Sequence, residues 1–168
     1  MEIDLDVVDE ASLPALAALA QLYQYDFSEI EGGVTGVDGR YHYLDDLDNR
    51  LAHPGATAWL FRVVDPQFHV ETLAGFALVL PITDGSGDRA IDEFFVVRKY
   101  RRLGVGRAAA TAIMTAAPGT WVVQGTRNNS GAKDFWGSII DDVASGPAER
   151  SEDLSVTYPA WGFRFRVE

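Results

Sequence analysis

A strand that runs into a basic turn, and from there into a helix opened by two glycines, leaves few architectures available. That order is written in residues 93–107, Glu93-Phe-Phe-Val-Val-Arg-Lys-Tyr-Arg-Arg-Leu-Gly-Val-Gly-Arg107. The β-branched and aromatic run up to Val97 predicts a strand. Five bases (Arg98, Lys99, Arg101, Arg102, Arg107) and no acid occupy the turn. Gly104 and Gly106 let the backbone bend and approach a ligand without a Cβ in the way. Amides freed at a helix N-terminus favour a phosphate, and neighbouring guanidiniums add charge-assisted hydrogen bonds. The segment therefore predicts a diphosphate cradle, in preference to a solvated glycine turn.

Two other phosphate cradles fit less well. Gly104-x-Gly106-x-x-Ala109 matches the spacing of a dinucleotide fingerprint, but there the glycines follow the strand directly. Here a basic turn intervenes, and no acid stands about 20 residues beyond Gly106 to take a ribose. The Gly-Lys-Ser/Thr of a nucleoside triphosphate loop is absent. The basic island also stands out against a chain of net charge −11. That balance argues against a nucleic-acid surface and favours a cationic partner. With no cysteine there is no disulfide framework and no thiolate chemistry. His42, His53 and His69 lack metal-ligand spacing, so no metal is expected. No apolar run reaches the roughly 20 residues of a membrane span. The acidic, alternating start Met1–Asp6 is unlike a signal peptide, which makes a cytoplasmic location the expectation.

Along the chain, Met1–Val8 alternates as a short strand and Ala11–Tyr25 carries helical spacing, with Ser12 or Asp9 as N-cap and Pro14 in its first turn. Asp26–Glu29 and the glycines at 32, 33, 36 and 39 read as helix exit into a loop or lid. Leu44–Leu51 predicts a short helix before Pro54. Thr57–Val64, Val70–Ile82 and Ala90–Val97 predict an antiparallel meander, with Gly75 marking a bulge. Val105–Ala117 predicts a helix, Trp121–Gln124 a strand and Ala132–Ile140 a helix capped from Asn128–Ser130. Asp141–Asp153 reads as loop, and Leu154–Tyr158 and Trp161–Val167 as two closing strands. Residues 1–168 are expected to make a single domain.

Arg101-x-x-Gly104-x-Gly106 after Phe94-Phe95-Val96, with Asn129-x-x-Ala132-x-x-Phe135-Trp136 downstream, resembles the GNAT superfamily of acetyltransferases. Leu22-Tyr23-x-Tyr25-Asp26-Phe27-Ser28-Glu29 adds a likeness to an uncharacterised branch of predicted bacterial acetyltransferases. The resemblance implies a mixed α/β (α+β) fold. Its mostly antiparallel twisted sheet would have about six or seven strands, splayed between Ala90–Val97 and Trp121–Gln124, with about four helices. It implies that acetyl-CoA is bound by Phe94, Phe95, Val96, Arg101, Arg102, Leu103, Gly104, Val105, Gly106, Arg107, Asn129 and Trp136. Asn129 also reads as a plain N-cap. The acceptor would be a primary amine of a small molecule or peptide, met by Tyr23, Asp26, Ser28, Tyr41, His42 and Tyr158. Many members are dimers, so a homodimer is allowed.

The pattern departs from the family where the proton chemistry lies. Trp136 stands where many relatives carry tyrosine, and an indole does not readily release a proton. Gln124 stands where a carboxylate is sometimes found. Glu93 and Asp92 are the nearby acids, and Glu93 is the first choice as general base, against the plainer reading of a salt-bridge partner or exposed residue. Three functions stay open: an N-acetyltransferase, a CoA or acyl-CoA-binding regulatory module without efficient chemistry and, more distantly, a nucleotide-dependent enzyme.

Overall fold

The computed structural model describes all residues from Met1 to Glu168. Its elements in chain order are β1 (Asp4–Val7), α1 (Leu13–Glu31), α2 (Leu47–Leu51), β2 (Thr57–Val64), β3 (Glu71–Pro81) and β4 (Arg89–Val96). A 3₁₀ turn (Arg98–Tyr100) leads to α3 (Val105–Thr115), β5 (Gly119–Gly125), α4 (Ser130–Val143), β6 (Glu149–Glu152) and β7 (Trp161–Val167). One seven-stranded sheet has the order β1-β2-β3-β4-β5-β7-β6. The pairs β1–β2, β5–β7 and β6–β7 are antiparallel, whereas β4–β5 is parallel. A parallel pair needs a crossover, which α3 supplies. The β4–β5 ladder joins only Arg89, Ala90 and Ile91 to Trp121, Val122 and Val123, while β4 itself runs on to Val96.

Two compact units divide the contacts: Met1–Leu78 with Glu93–Gly106, and Val79–Asp92 with Arg107–Glu168. In the first, Leu16, Leu19 and Ala20 of α1 are buried, as are Leu60, Phe61 and Phe76. Tyr23 meets Phe27, Phe76 and Phe95 with ring centroids 5.4, 5.9 and 5.8 Å away. In the second, Trp121, Ile113, Met114, Ile139 and Ile140 are fully buried. Trp121 spends its indole N–H on the Ala117 carbonyl (3.1 Å), and Trp161 donates to that of Thr126 (2.9 Å). Each such buried side chain contributes about 1.5–3 kcal/mol by leaving water.

Three local expectations change. The first helix does not end at Tyr25 but continues to Glu31, where left-handed Gly32 (φ 74°) returns its N–H to the Ser28 carbonyl at 2.8 Å. The polar run Asp26–Glu29 stays helical because Phe27 packs one turn from Tyr23 and Asp26 is engaged by arginines. The second helix begins at Leu47, after a turn in which the Leu44 amide donates to Gln24 Oε1 (3.3 Å). At the sheet's end the strand is Glu149–Glu152 rather than Leu154–Tyr158. All four of its residues are exposed, so it pairs through its backbone without the apolar alternation that announces a strand.

Candidate active site

The segment that follows β4 has the backbone its glycines suggest. Arg102 (φ 61°) and Gly104 (φ 84°) are both left-handed. A Cβ on Gly104 would meet nothing within 4 Å, so the space above that turn is open. Val105, fully buried, starts α3. A non-glycine residue at positive φ is uncommon and is kept only where its surroundings enforce it.

Those surroundings are ion pairs. Arg98 and Arg101 both donate to the Asp26 carboxylate of α1, and Arg98 reaches Glu29 at 3.2 Å. Arg101 also donates its Nε–H to the Val96 carbonyl at 2.7 Å, closing the end of β4. Burial works against ionised Asp26, but hydrogen bonds from Arg101 and Arg98 outweigh it and hold the carboxyl below its ordinary value. Lys99 and Tyr100 turn instead to Asp65, just past β2. Arg107, in the second unit, pairs with Asp142 and donates to the Ser138 hydroxyl at 2.8 Å. Arg102 is exposed.

On β4, Ile91, Glu93 and Phe95 share the buried face. Glu93 is 4% exposed and lies 3.5 Å from Arg50 Nη1. Arg50 also donates to Asp46 at 2.9 Å and stands 5.1 Å over the Tyr43 ring. The Tyr43 phenol is pushed up to about 12, by burial first and then by the charge of Glu93. One strand over, a Cβ on Gly75 would stand 2.0 Å from the Phe95 carbonyl oxygen, and the Val97 amide donates to the Ala74 carbonyl at 2.8 Å. The glycine read as a bulge signal is thus a point of close backbone approach.

Of the residues named for the cofactor, Phe94–Gly106 belong to the first unit and Arg107, Asn129 and Trp136 to the second. Asn129 caps α4 by accepting from the Ala132 amide (3.2 Å). Trp136 is buried and Gln124 exposed. Among the acceptor candidates, Tyr23 is in the aromatic cluster and Asp26 in the arginine cluster. The Tyr41 hydroxyl donates to that of Ser28 at 3.2 Å, which donates in turn to the Tyr25 carbonyl at 2.6 Å. His42 lies between Asp45 (2.5 Å) and Asp38 (3.2 Å), whose hydrogen bonds raise its pKa. Tyr158 is exposed in the second unit. The glycine-rich loop after α1 is fastened at its far end, where Gln21 bonds both the N–H and the carbonyl of Tyr41 (2.9 and 2.8 Å).

Sequence reasoning passed over Arg50, Tyr43 and Asp65. The Asp46–Arg50 spacing of four residues is a legible helical pair. Nothing in the sequence signals Tyr43 or Asp65 as partners of β4 and the turn after it.

The sequence model described as the acetyltransferase (GNAT) family matches residues 16–138. No curated protein matches the sequence. Among solved structures, an acetyltransferase from Thermus thermophilus superposes with a TM-score of 0.70 at 14% identity, covering 99% of this chain and 98% of its own. A GNAT-family acetyltransferase from Staphylococcus aureus gives 0.63 at 14%, covering 99% and 100%. A spermidine N-acetyltransferase chimera from Vibrio cholerae gives 0.55 at 10%, covering 99% and 96%. At such identities the likeness is one of fold.

Proposed function

The chain belongs to the GNAT acetyltransferase family, and from that premise we propose that it is an acetyl-CoA-dependent N-acetyltransferase acting on a primary amine of a small molecule or peptide. The observation that carries this reading is the loop Arg101–Gly106, with left-handed backbone at Arg102 and Gly104 and a helix start behind it. The segment contains no acid, and its open side at Gly104 leaves room for a diphosphate against the amides. Those amides and the Arg102 side chain would hold the twin phosphates. Phe94–Val96 would hold the pantetheine arm through main-chain groups. Bound acetyl-CoA supplies an activated thioester.

The chemistry also requires a neutral amine to form the new bond to the acetyl carbon, and a proton for the CoA thiolate released as the carbon–sulfur bond breaks. Glu93 would take the amine's proton, directly or through water. Arg50 would keep the Glu93 carboxylate in place, and Tyr43, protonated at neutral pH, would leave that charge undiminished. A cationic acceptor suits both the net charge of −11 and the spermidine acted on by one structural neighbour. Tyr23, Asp26, Ser28, Tyr41 and His42 of the first unit remain the residues proposed for it. No helix is long and apolar enough to cross a membrane. A cytoplasmic homodimer is the setting proposed.

Calorimetry with CoA and acetyl-CoA tests the cradle, and thiol release with an amine panel tests the chemistry. Heat with both ligands and turnover with an amine are expected; absence of heat from folded protein would end the reading. Buried Trp136, which replaces a phenol with an indole, favours a second reading as an acyl-CoA-binding regulatory module. Tight CoA binding without turnover on any amine would select it.

A further inference from the structure

The turn that delivers the chain into the loop is held by a carboxylate outside it. Asp65 immediately follows β2 and is 1% exposed. Its Oδ1 accepts from the amides of Gln67 and Phe68, both at 2.9 Å, and so shapes the β2–β3 connection. Its Oδ2 accepts from the Tyr100 hydroxyl at 2.6 Å and meets Lys99 Nζ at 2.5 Å. Lys99 also lies 4.6 Å over the ring of Phe68, within the same connection. One oxygen therefore builds a turn between strands and the other grips the two residues just before Arg101.

We propose that Asp65 is a positioning residue for the phosphate loop, fixing the direction in which Lys99 and Tyr100 lead the chain into Arg101–Gly106 and so presetting the amides that meet the diphosphate. The inference rests on the reading of this loop as the CoA site. Backbone donors bind an anion well only when their geometry is set beforehand, because ordering them at the moment of binding weakens affinity. Arg102 holds positive φ, the conformation a free chain seldom adopts, so something must enforce it. Asp26 secures Arg98 and Arg101 from the α1 side, and Asp65 secures the two residues between them from the β2 side.

The Asp65→Asn variant isolates this role. Its amide oxygen can still accept from Gln67 and Phe68, but the ion pair with Lys99 is gone. We expect the CoA dissociation constant to rise by about tenfold in calorimetry, with kcat at saturating acetyl-CoA and the acceptor KM changed by less than about twofold. In the free protein, hydrogen exchange at residues 101–106 should quicken while α1 and β2 keep their protection. A general loss of stability would instead quicken exchange everywhere, and that outcome counts against a local role. Folded Asp65→Asn with wild-type CoA affinity and wild-type exchange in the loop overturns the proposal. If Asp65→Asn fails to fold, Tyr100→Phe removes one donor to the same oxygen and must show smaller changes in the same direction; unchanged affinity and exchange there overturn it equally. Should the wild-type protein bind no CoA, the functional reading fails by itself, and the exchange data on the free protein still decide whether Asp65 sets the loop.

Discussion

Asp65 and Glu93 are both buried acids of the first unit, 1% and 4% exposed, and their surroundings differ in kind. Asp65 gathers two backbone amides, a phenol and an ammonium, all within 2.9 Å. The Lys99 and Tyr100 hydrogen bonds drive its carboxyl well below the usual range. Glu93 has Arg50 at 3.5 Å, a guanidinium that also serves Asp46 at 2.9 Å. A carboxylate so thoroughly donated to holds a shape and resists taking a proton. The acid whose counter-ion is shared, on the strand that runs into the loop, is the one we propose for proton transfer. Burial alone thus does not distinguish the two acids; the backbone amides on Asp65 and the shared guanidinium beside Glu93 do.

The sharpest way to break this contrast is Glu93→Gln. We expect the acetylation rate to fall by about a hundredfold or more, the scale of general base catalysis, with CoA affinity altered by less than about twofold. An unaltered rate would put Glu93 in the same structural class as Asp65. Arg50→Met comes next. Removing the cation beside a buried carboxylate should lower stability by about 3 kcal/mol in urea unfolding. It should also move the acid limb of the pH–rate profile to higher pH, because the carboxyl then protonates more easily. A lower stability with an unmoved acid limb would make Arg50 a packing element only.

For Asp65 the expected signature is in stability against pH. Its folded-state pKa is depressed, so its contribution is complete above the unfolded value of about 3.9 and is lost as pH falls through the folded one. Wild-type protein should therefore lose stability more steeply than Asp65→Asn below about pH 4. Parallel curves would mean that the four donors do not act on the charge.

What the sequence showed and what it hid divide along the same line. Strands Thr57–Val64 and Trp161–Val167 were legible to the residue because burial imposes period two or a continuous apolar run on them. The turn before α3 was legible because Gly104 frees the backbone for the left-handed conformation it adopts. β6 was hidden because an exposed edge strand such as Glu149–Glu152 needs only its backbone. The roles of Asp65, Tyr43 and Arg50 were hidden because their partners on β4 and the turn after it lie far along the chain, as with Tyr100 at a separation of 35 from Asp65. No local pattern encodes a contact of that kind.

The two acids also carry reporters, and these allow the smallest and cleanest test. The Tyr100 phenol is raised by its hydrogen bond to Asp65 and then by burial. The Tyr43 phenol is pushed up to about 12 by burial and then by Glu93, against the opposing pull of Arg50. Tyr43 is 63% exposed, so its position depends on the charges around the hydroxyl as well as on solvent exclusion. Difference titration of phenolate absorbance between wild type and Tyr43→Phe should show no ionisation from Tyr43 below about pH 11. Glu93→Gln should lower the Tyr43 midpoint and leave Tyr100 alone, while Asp65→Asn should lower Tyr100 and leave Tyr43 alone. If either substitution moved both phenols, the two carboxylates would belong to one electrostatic network, and the division between staple and base would have to be drawn across that network instead of between its members.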